Sequence, residues 1–134
     1  MDSPMDSSLA KGGKPRVLIA DDERTIADTL RIILHQNGFD AAAVYDGQQA
    51  IDTARAWVPD LLLSDIFMPV LGGIDAAIQI CARQPACRVV LLSANAEAAS
   101  LRRNMCQLGF NCEILYKPVP PAELLGRLRT ILDL

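Results

Sequence analysis

Four places in the chain put groups able to do chemistry at the ends of short apolar runs. Asp21-Asp22 follow Arg16–Ala20, Asp65 follows Leu61-Leu62-Leu63-Ser64, Ser93 follows Arg88–Leu92, and Lys117 follows Glu113–Tyr116. Three carboxylates held close together repel, and each alone would resist ionisation. A hard divalent cation resolves that repulsion. Mg²⁺ takes oxygen ligands, keeps some waters, and prefers one or two carboxylates plus phosphate oxygens. A lysine adds a compact positive charge for a phosphate oxygen, and a serine adds a hydrogen-bond donor. Together these are the parts of in-line phosphoryl transfer to a carboxylate: a nucleophile, a charge-neutralising metal, and donors for the equatorial oxygens. Taken singly, each has a plainer explanation, since an Asp at the end of a run often only caps a strand or turn.

The elements that would position these groups are legible in order. Arg16–Ala20 is a first strand. Arg24–Gln36 is a first helix, with Ile26, Leu30, Ile33 and Leu34 on one face and Asn37-Gly38 as its stop. Phe39–Tyr45 is a second, alanine-rich strand, and Asp46-Gly47 turns the chain into a second helix over Gln48–Trp57. The three leucines before Ser64-Asp65 form an apolar run suited to a strand covered on both faces. Pro69 and Gly72-Gly73 then force a turn, and a third helix spans Ile74–Arg83, with Ile74, Ala77, Ile78 and Cys81 on one stripe. Arg88–Leu92 is a fourth strand, Glu97–Leu108 a fourth helix, and Glu113–Tyr116 a fifth strand. Pro120-Pro121 opens a fifth helix, whose buried stripe is Leu124, Leu125, Leu128, Ile131 and Leu132.

Strand and helix alternate five times with short connections, which predicts an α/β fold: a doubly wound parallel sheet with helices on both faces. In such a sheet the four polar strand ends share one edge, where open α/β sheets build their sites.

At 134 residues the chain has the size of one ordinary domain. With one Trp, two Tyr and three Phe, its core must be aliphatic. The net charge of −3 offers no basic field for nucleic acid or an anionic membrane surface. Cys81, Cys87, Cys106 and Cys112 show no CxxC spacing, so core or helix-face thiols in a reducing compartment are expected rather than a zinc or redox site. The lone His35 suits a surface or capping role. Residues 1–14, rich in Ser, Asp, Gly and Lys, read as a disordered tail ahead of a domain over 15–134. No apolar run approaches the ~18 residues of a spanning helix, and a cytoplasmic protein is expected.

The chain resembles the receiver domain of two-component response regulators. The resemblance rests on Val17-Leu18-Ile19-Ala20-Asp21-Asp22-Glu23, Ser64-Asp65-Ile66-Phe67-Met68-Pro69, Gly73, Ser93-Ala94 and Lys117-Pro118, and it covers about Arg16 to Leu134. It implies the flavodoxin-like strand order 2-1-3-4-5 with five helices. It also implies that Asp65 is the phosphoacceptor, taking a phosphoryl group from a sensor histidine kinase or a phosphotransfer protein. Asp22, Asp65 and the backbone carbonyl of Phe67 would hold Mg²⁺, with Asp21 acting mainly through water. Lys117 would contact the phosphoryl group, and Ser93 would move towards it beside the small Ala94. The output would be a signalling contact through the fourth helix, fifth strand and fifth helix to a separate protein target, with no direct nucleic-acid or membrane role. Such a module is not an enzyme in its own right, although it takes part in its own phosphorylation and dephosphorylation.

The chain departs from the family pattern in several places. Ile114 stands three positions before Lys117, where the family usually carries an aromatic switch residue, and Tyr116 falls next to the lysine. Strand alternation turns Tyr116 to the opposite face from Lys117. Ser93 replaces the commoner threonine, Gly72 stands where Asp is frequent, and the stretch from Ser93 to Lys117 is about two residues longer than in the best-known members. Bulky Phe67, two residues past Asp65, is expected to hinder the hydrolytic water and lengthen the life of a phosphoform. Alternatives are a receiver severed from a larger regulator, an Mg²⁺-dependent phosphatase with an aspartyl nucleophile, and a degenerate receiver acting only through protein contacts. A homodimer could form through the fourth helix, fifth strand and fifth helix, with Arg102, Arg103, Arg127 and Arg129 pairing across it; solvated faces are the plainer account of those arginines.

Overall fold

The computed structural model describes residues 13–94 and 112–134. All of the expected tail except Gly13 and Lys14, the whole expected fourth helix with Arg102 and Arg103, and Cys106 lie outside the described residues. The described elements run β1 (Arg16–Ala20), α1 (Arg24–Gln36), β2 (Asp40–Val44), α2 (Gly47–Trp57), β3 (Leu61–Asp65), α3 (Gly73–Arg83), β4 (Arg88–Ser93), β5 (Cys112–Tyr116) and α4 (Pro121–Ile131). α4 is therefore the fifth helix of the sequence reading. The five strands pair in parallel in the order β2-β1-β3-β4-β5. The expected order holds.

Period-two alternation splits the aliphatic strands between two cores. Leu18 and Ala20 of β1, Leu62 of β3, and Val89 and Leu91 of β4 pack under Ala50, Ile51 and Ala54 of α2 and Ala76, Ala77 and Ile80 of α3. Val17 and Ile19, Leu61 and Leu63, and Val90 and Leu92 face the other way, towards Ala27 and Leu34 of α1 and Leu124, Leu125 and Leu128 of α4. All three leucines of β3 are fully buried. Each contributes roughly 1.5–3 kcal/mol through that burial, which explains why a run with no polar interruption occupies the central strand.

Two expected helix stripes are rotated. In α1 the fully buried positions are Ala27 and Leu34, while Ile26, Leu30 and Ile33 line the edge of the contact. In α3, Ala76, Ala77 and Ile80 are buried, and Ile74, Ile78 and Cys81 are only partly so. Small alanines let each helix approach the sheet closely, leaving the longer side chains to fill the flanks. α2 begins at an N-cap in which the Asp46 carboxylate accepts from the Gln49 N–H at 2.8 Å. α1 ends in a turn through Gly38, whose φ of +95° suits glycine. β2 lies at the sheet edge, which fits its alanine content and half-burial. Of the described cysteines, Cys87 is buried, and that burial pushes its thiol up to about 12. No described helix is long and apolar enough to cross a membrane.

Candidate functional site

β1 and β3 are neighbours with Ala20 opposite Ser64, so the residues that follow, Asp21 and Asp65, leave the sheet side by side. β4 lies on the other flank of β3, with Leu92 opposite Asp65, and this places Ser93 one step further along the same edge. β5 comes last, with Tyr116 opposite Ser93, and the Lys117 N–H donates to the Ser93 carbonyl at 2.8 Å. Topology alone thus brings three of the four predicted strand ends to the middle of the edge. Lys117 must reach over β4 to join them.

It does so. Lys117 Nζ lies 3.3 Å from Asp65 Oδ2 and 3.4 Å from Asp21 Oδ2. Asp21 is fully buried, and its other oxygen accepts from the Glu23 N–H at 3.0 Å. Its own N–H donates to the Val44 carbonyl at 3.1 Å, which fixes the start of the β1–α1 turn. One carboxylate oxygen from each of Asp21, Asp22 and Asp65 falls within 4.8 Å of the other two, with Asp22 at the exposed rim. Burial raises the Asp65 pKa, Lys117 opposes that rise, and the nearby Asp21 charge adds to it. Burial acts to lower the Lys117 pKa, but Asp65 and Asp21 outweigh it and the net shift is upward. The ammonium is held charged between two acids.

The backbone around Asp65 is fixed from three directions. Ile66 N–H donates to the Leu92 carbonyl at 3.2 Å, and Gly73 N–H donates back to the Ile66 carbonyl at 2.9 Å, closing the loop between them. Ser64 Oγ donates to the Asp65 carbonyl at 2.8 Å. Gly73 packs so closely on that carbonyl that a Cβ there would sit 2.0 Å from the Asp65 oxygen. Gly47 N–H, at the head of α2, holds the same loop through the Leu71 carbonyl at 3.0 Å. Phe67 projects from the loop with 68% of its surface exposed. The Lys117–Pro118 bond is cis.

Asp21, Asp22, Asp65 and Lys117, all singled out in the sequence, therefore meet. Ser93 is buried at the end of β4, beside them along the edge. Ile114 is partly buried and packs on the α2–α3 side of the sheet. Tyr116 is half-exposed on the same pleat face as Ile114, opposite Ser93 in the register. Ser64, quoted in the sequence only as part of the motif around the acceptor, gains a role through the hydrogen bond that it makes there.

Residues 17–129 match the model of the response regulator receiver domain family. The chain belongs to that family. Members are modules of two-component signalling systems, and the resemblance read from the motifs holds over the matched span. Among curated proteins, the chain is 32% identical over 116 residues to the DNA-binding response regulator MtrA of Mycobacterium tuberculosis, covering 87% of this chain and 50% of that protein. It is 34% identical over 116 residues to the transcriptional regulatory protein CreB of Escherichia coli, again covering 87% and 50%. The chain thus spans about half the length of the curated relatives it matches. Among solved structures, a CheY-like receiver domain protein from Methanospirillum hungatei superposes with a TM-score of 0.80 at 24% identity, covering 90% of this chain and 95% of that one, a likeness of fold. A chain in the CheX-CheY-BeF3-Mg+2 complex from Borrelia burgdorferi matches with a TM-score of 0.80 at 25% identity, covering 92% and 93%.

Proposed function

We propose that residues 15–134 are a phosphoacceptor receiver, in which Asp65 takes a phosphoryl group from a phosphohistidine on a sensor histidine kinase or phosphotransfer protein. The observation that carries this reading is the shared ammonium of Lys117, held 3.3 Å from Asp65 and 3.4 Å from Asp21 beside a third carboxylate, Asp22. That arrangement is a nucleophile next to a fixed cation, at a rim with spare acidic oxygens.

The donor set fits Mg²⁺. It is made of hard carboxylate oxygens at the spacing of a shared ion, with no thiol or imidazole among the clustered groups. Asp22 and Asp65, with the Phe67 backbone carbonyl, would hold the ion. Asp21 already has one oxygen on the Glu23 N–H and the other near Lys117, which supports a role for it through water. When bound, Mg²⁺ would neutralise the clustered acids and the charge on the transferring phosphoryl oxygens.

In the transfer, an Asp65 carboxylate oxygen attacks phosphorus as the bond from phosphorus to the donor nitrogen breaks, and the imidazole departs with that electron pair. Lys117 offers its N–H bonds to a phosphoryl oxygen, and the Ser93 hydroxyl approaches from the end of β4. The acyl phosphate at Asp65 carries about −1.5 to −2 charge in place of the carboxylate's single negative charge, and that change biases an existing equilibrium of the β4 and β5 ends rather than building a new fold. The output surface is assigned to β5 and α4, which would meet a separate protein target in the cytoplasm without touching nucleic acid or membrane itself. Within that surface, Arg127 pairs with Glu113 of its own chain. No activity on a substrate other than the phosphodonor and its own phosphoform is assigned.

The test is the intact mass after incubation with acetyl phosphate and Mg²⁺, beside Asp65→Ala. One added phosphoryl group, absent in the variant and absent without Mg²⁺, is the expected result. No adduct with acetyl phosphate, with a beryllofluoride mimic or with a phosphorylated kinase would overturn the reading in favour of a receiver acting by protein contact alone.

A further inference from the structure

Only three polar side chains among the described residues are buried: Asp21, Ser93 and Ser64. The first two belong to the phosphoacceptor site as read above. Ser64 has no part in it, yet it is fully inaccessible and lies in the central strand, directly before the acceptor. A hydroxyl costs free energy to bury unless it makes a hydrogen bond. Here its bond goes to the carbonyl of the acceptor residue itself, at 2.8 Å.

We infer that Ser64 is a positioning residue for the metal-binding loop, an inference that rests on the receiver reading. Three consecutive carbonyls lead out of β3, those of Asp65, Ile66 and Phe67. Ser64 Oγ–H holds the first, and Gly73 N–H holds the second at 2.9 Å. With two successive peptide planes fixed by donors from rigid elements, the third carbonyl, assigned as a Mg²⁺ ligand, has its direction set before the ion arrives. The first clamp depends on Gly73 as well. The Cβ that any other residue would place there meets Ser64 Oγ at 2.8 Å and the Asp65 oxygen at 2.0 Å, so hydroxyl, carbonyl and glycine form one packed unit. A site held by supporting hydrogen bonds spends less of its binding energy on ordering its ligands.

The experiment compares the full chain with Ser64→Ala, Ser64→Cys and Ser64→Thr. Mg²⁺ affinity is read by isothermal titration calorimetry, the urea midpoint is measured without metal, and phosphoryl uptake from acetyl phosphate is followed by mass. Alanine and cysteine remove the hydroxyl donor while nearly keeping the volume. Threonine keeps the donor and adds a methyl group, which costs stability in a buried site. Ser64→Ala and Ser64→Cys are expected to bind Mg²⁺ about fivefold more weakly, the fold-change of one ordinary hydrogen bond, and to need correspondingly more Mg²⁺ for uptake. Ser64→Thr is expected to keep near-parental Mg²⁺ affinity despite a lower urea midpoint. Parental Mg²⁺ affinity in Ser64→Ala would overturn the assignment, as would affinities that simply track the urea midpoints across the three variants. Failure of the receiver reading would show separately, in a parent chain that forms no adduct with acetyl phosphate, with a beryllofluoride mimic or with a phosphorylated kinase, and would overturn both.

Discussion

Lys117 Nζ stands 3.3 Å from the Asp65 carboxylate, although Asp65 ends β3 and Lys117 follows β5, with β4 between those two strands. The same ammonium lies 3.4 Å from Asp21, so its removal leaves two close acids without their countercharge. Lys117→Met keeps most of the apolar stem and deletes the charge. Without Mg²⁺ it should lower the unfolding free energy by about 2 kcal/mol, less than a fully buried pair because the lysine side chain keeps 23% of its exposure. The Lys117 pKa lies above its usual 10.5 because Asp65 and Asp21 outweigh the opposing effect of burial. Its contribution is therefore complete below 10.5 and lost as pH rises through the higher folded-state value. Urea melts of parent and variant should differ by a constant amount from neutral pH upward and converge only in that alkaline window. Parental stability for the variant at pH 7 would show that the ammonium is not compensating the acids.

Asp65 carries the opposite sign. Burial, with the Asp21 charge added, raises its pKa above the usual 3.8 despite Lys117, so the folded chain holds that proton more tightly than the unfolded chain. The linked stability falls as pH rises from 3.8 through the folded-state value, and above it the ionised carboxylate is a standing cost. Metal-free Asp65→Asn should therefore melt at a higher temperature than the parent at pH 7, with the gap closing as pH falls below 3.8. Saturating Mg²⁺ should stabilise the parent more than the variant and narrow the gap. A variant that melts lower than the parent in EDTA at neutral pH would contradict the assignment of Asp65 as a strained acid.

Gly73→Ala should damage both fold and site. Its Cβ would lie 2.0 Å from the Asp65 carbonyl oxygen, against backbone rather than the far end of a flexible side chain. Relief requires the start of α3 to move off the end of β3, at roughly 1–3 kcal/mol, the usual range for overpacking. Denaturant melts should show that loss, and acetyl phosphate should label the variant far more slowly. Gly38→Ala is the contrasting control: its site is open, φ is +95°, and it lies at the other end of α1 from Asp21-Asp22. It should cost about 1 kcal/mol and leave labelling unchanged.

How far the sequence carried differs between strands and helices, for a physical reason. Strands β1, β3 and β4 are nearly uniform aliphatic runs, and only a sheet covered on both faces buries such runs. Their order and the convergence of Asp21, Asp65 and Lys117 then follow from crossover rules and from motif resemblance. Helix faces were harder to read. α1 and α3 carry apolar residues around more than half their circumference, so period alone could not select Ala27 or Ala76 over the larger Ile26 or Ile74. That choice depends on how closely each helix approaches the sheet, which is a property of the packed molecule. Ser64 stands in the sequence only as part of a motif, because a single hydroxyl in an apolar run carries no period, and its meaning appears only once its 2.8 Å bond to the Asp65 carbonyl is known.

Phe67 leaves the β3–α3 loop with most of its ring in solvent, two residues beyond the acceptor. An exposed aromatic at the mouth of a small polar site can exclude water from it without taking part in the chemistry. Phe67→Asn removes that cover and offers a polar group to a water. The phosphoform of the variant should lose its phosphoryl group several-fold faster than the parent's, followed by mass after removal of acetyl phosphate, with the uptake rate little changed. Decay as slow as the parent's would assign the shielding elsewhere.

Val70 sits in the same loop at the centre of a three-residue turn, with the Leu71 N–H donating to the Pro69 carbonyl at 2.7 Å. Its φ is +68°, a left-handed conformation that is unfavourable for a β-branched residue by roughly 1–2 kcal/mol. The side chain is 80% exposed, so it recovers little of that cost by burial. Glycine adopts this backbone without strain but adds about 0.5–1 kcal/mol of unfolded-state entropy. The balance predicts that Val70→Gly stabilises the chain by about 0.5–1 kcal/mol, visible as a higher urea midpoint. The loop is held independently through Gly73 to Ile66 and Gly47 to Leu71, so its closure should survive the change. Phosphoryl uptake should therefore match the parent's. If Val70→Gly instead lowered the midpoint, the valine would have to be making contacts that repay its backbone strain.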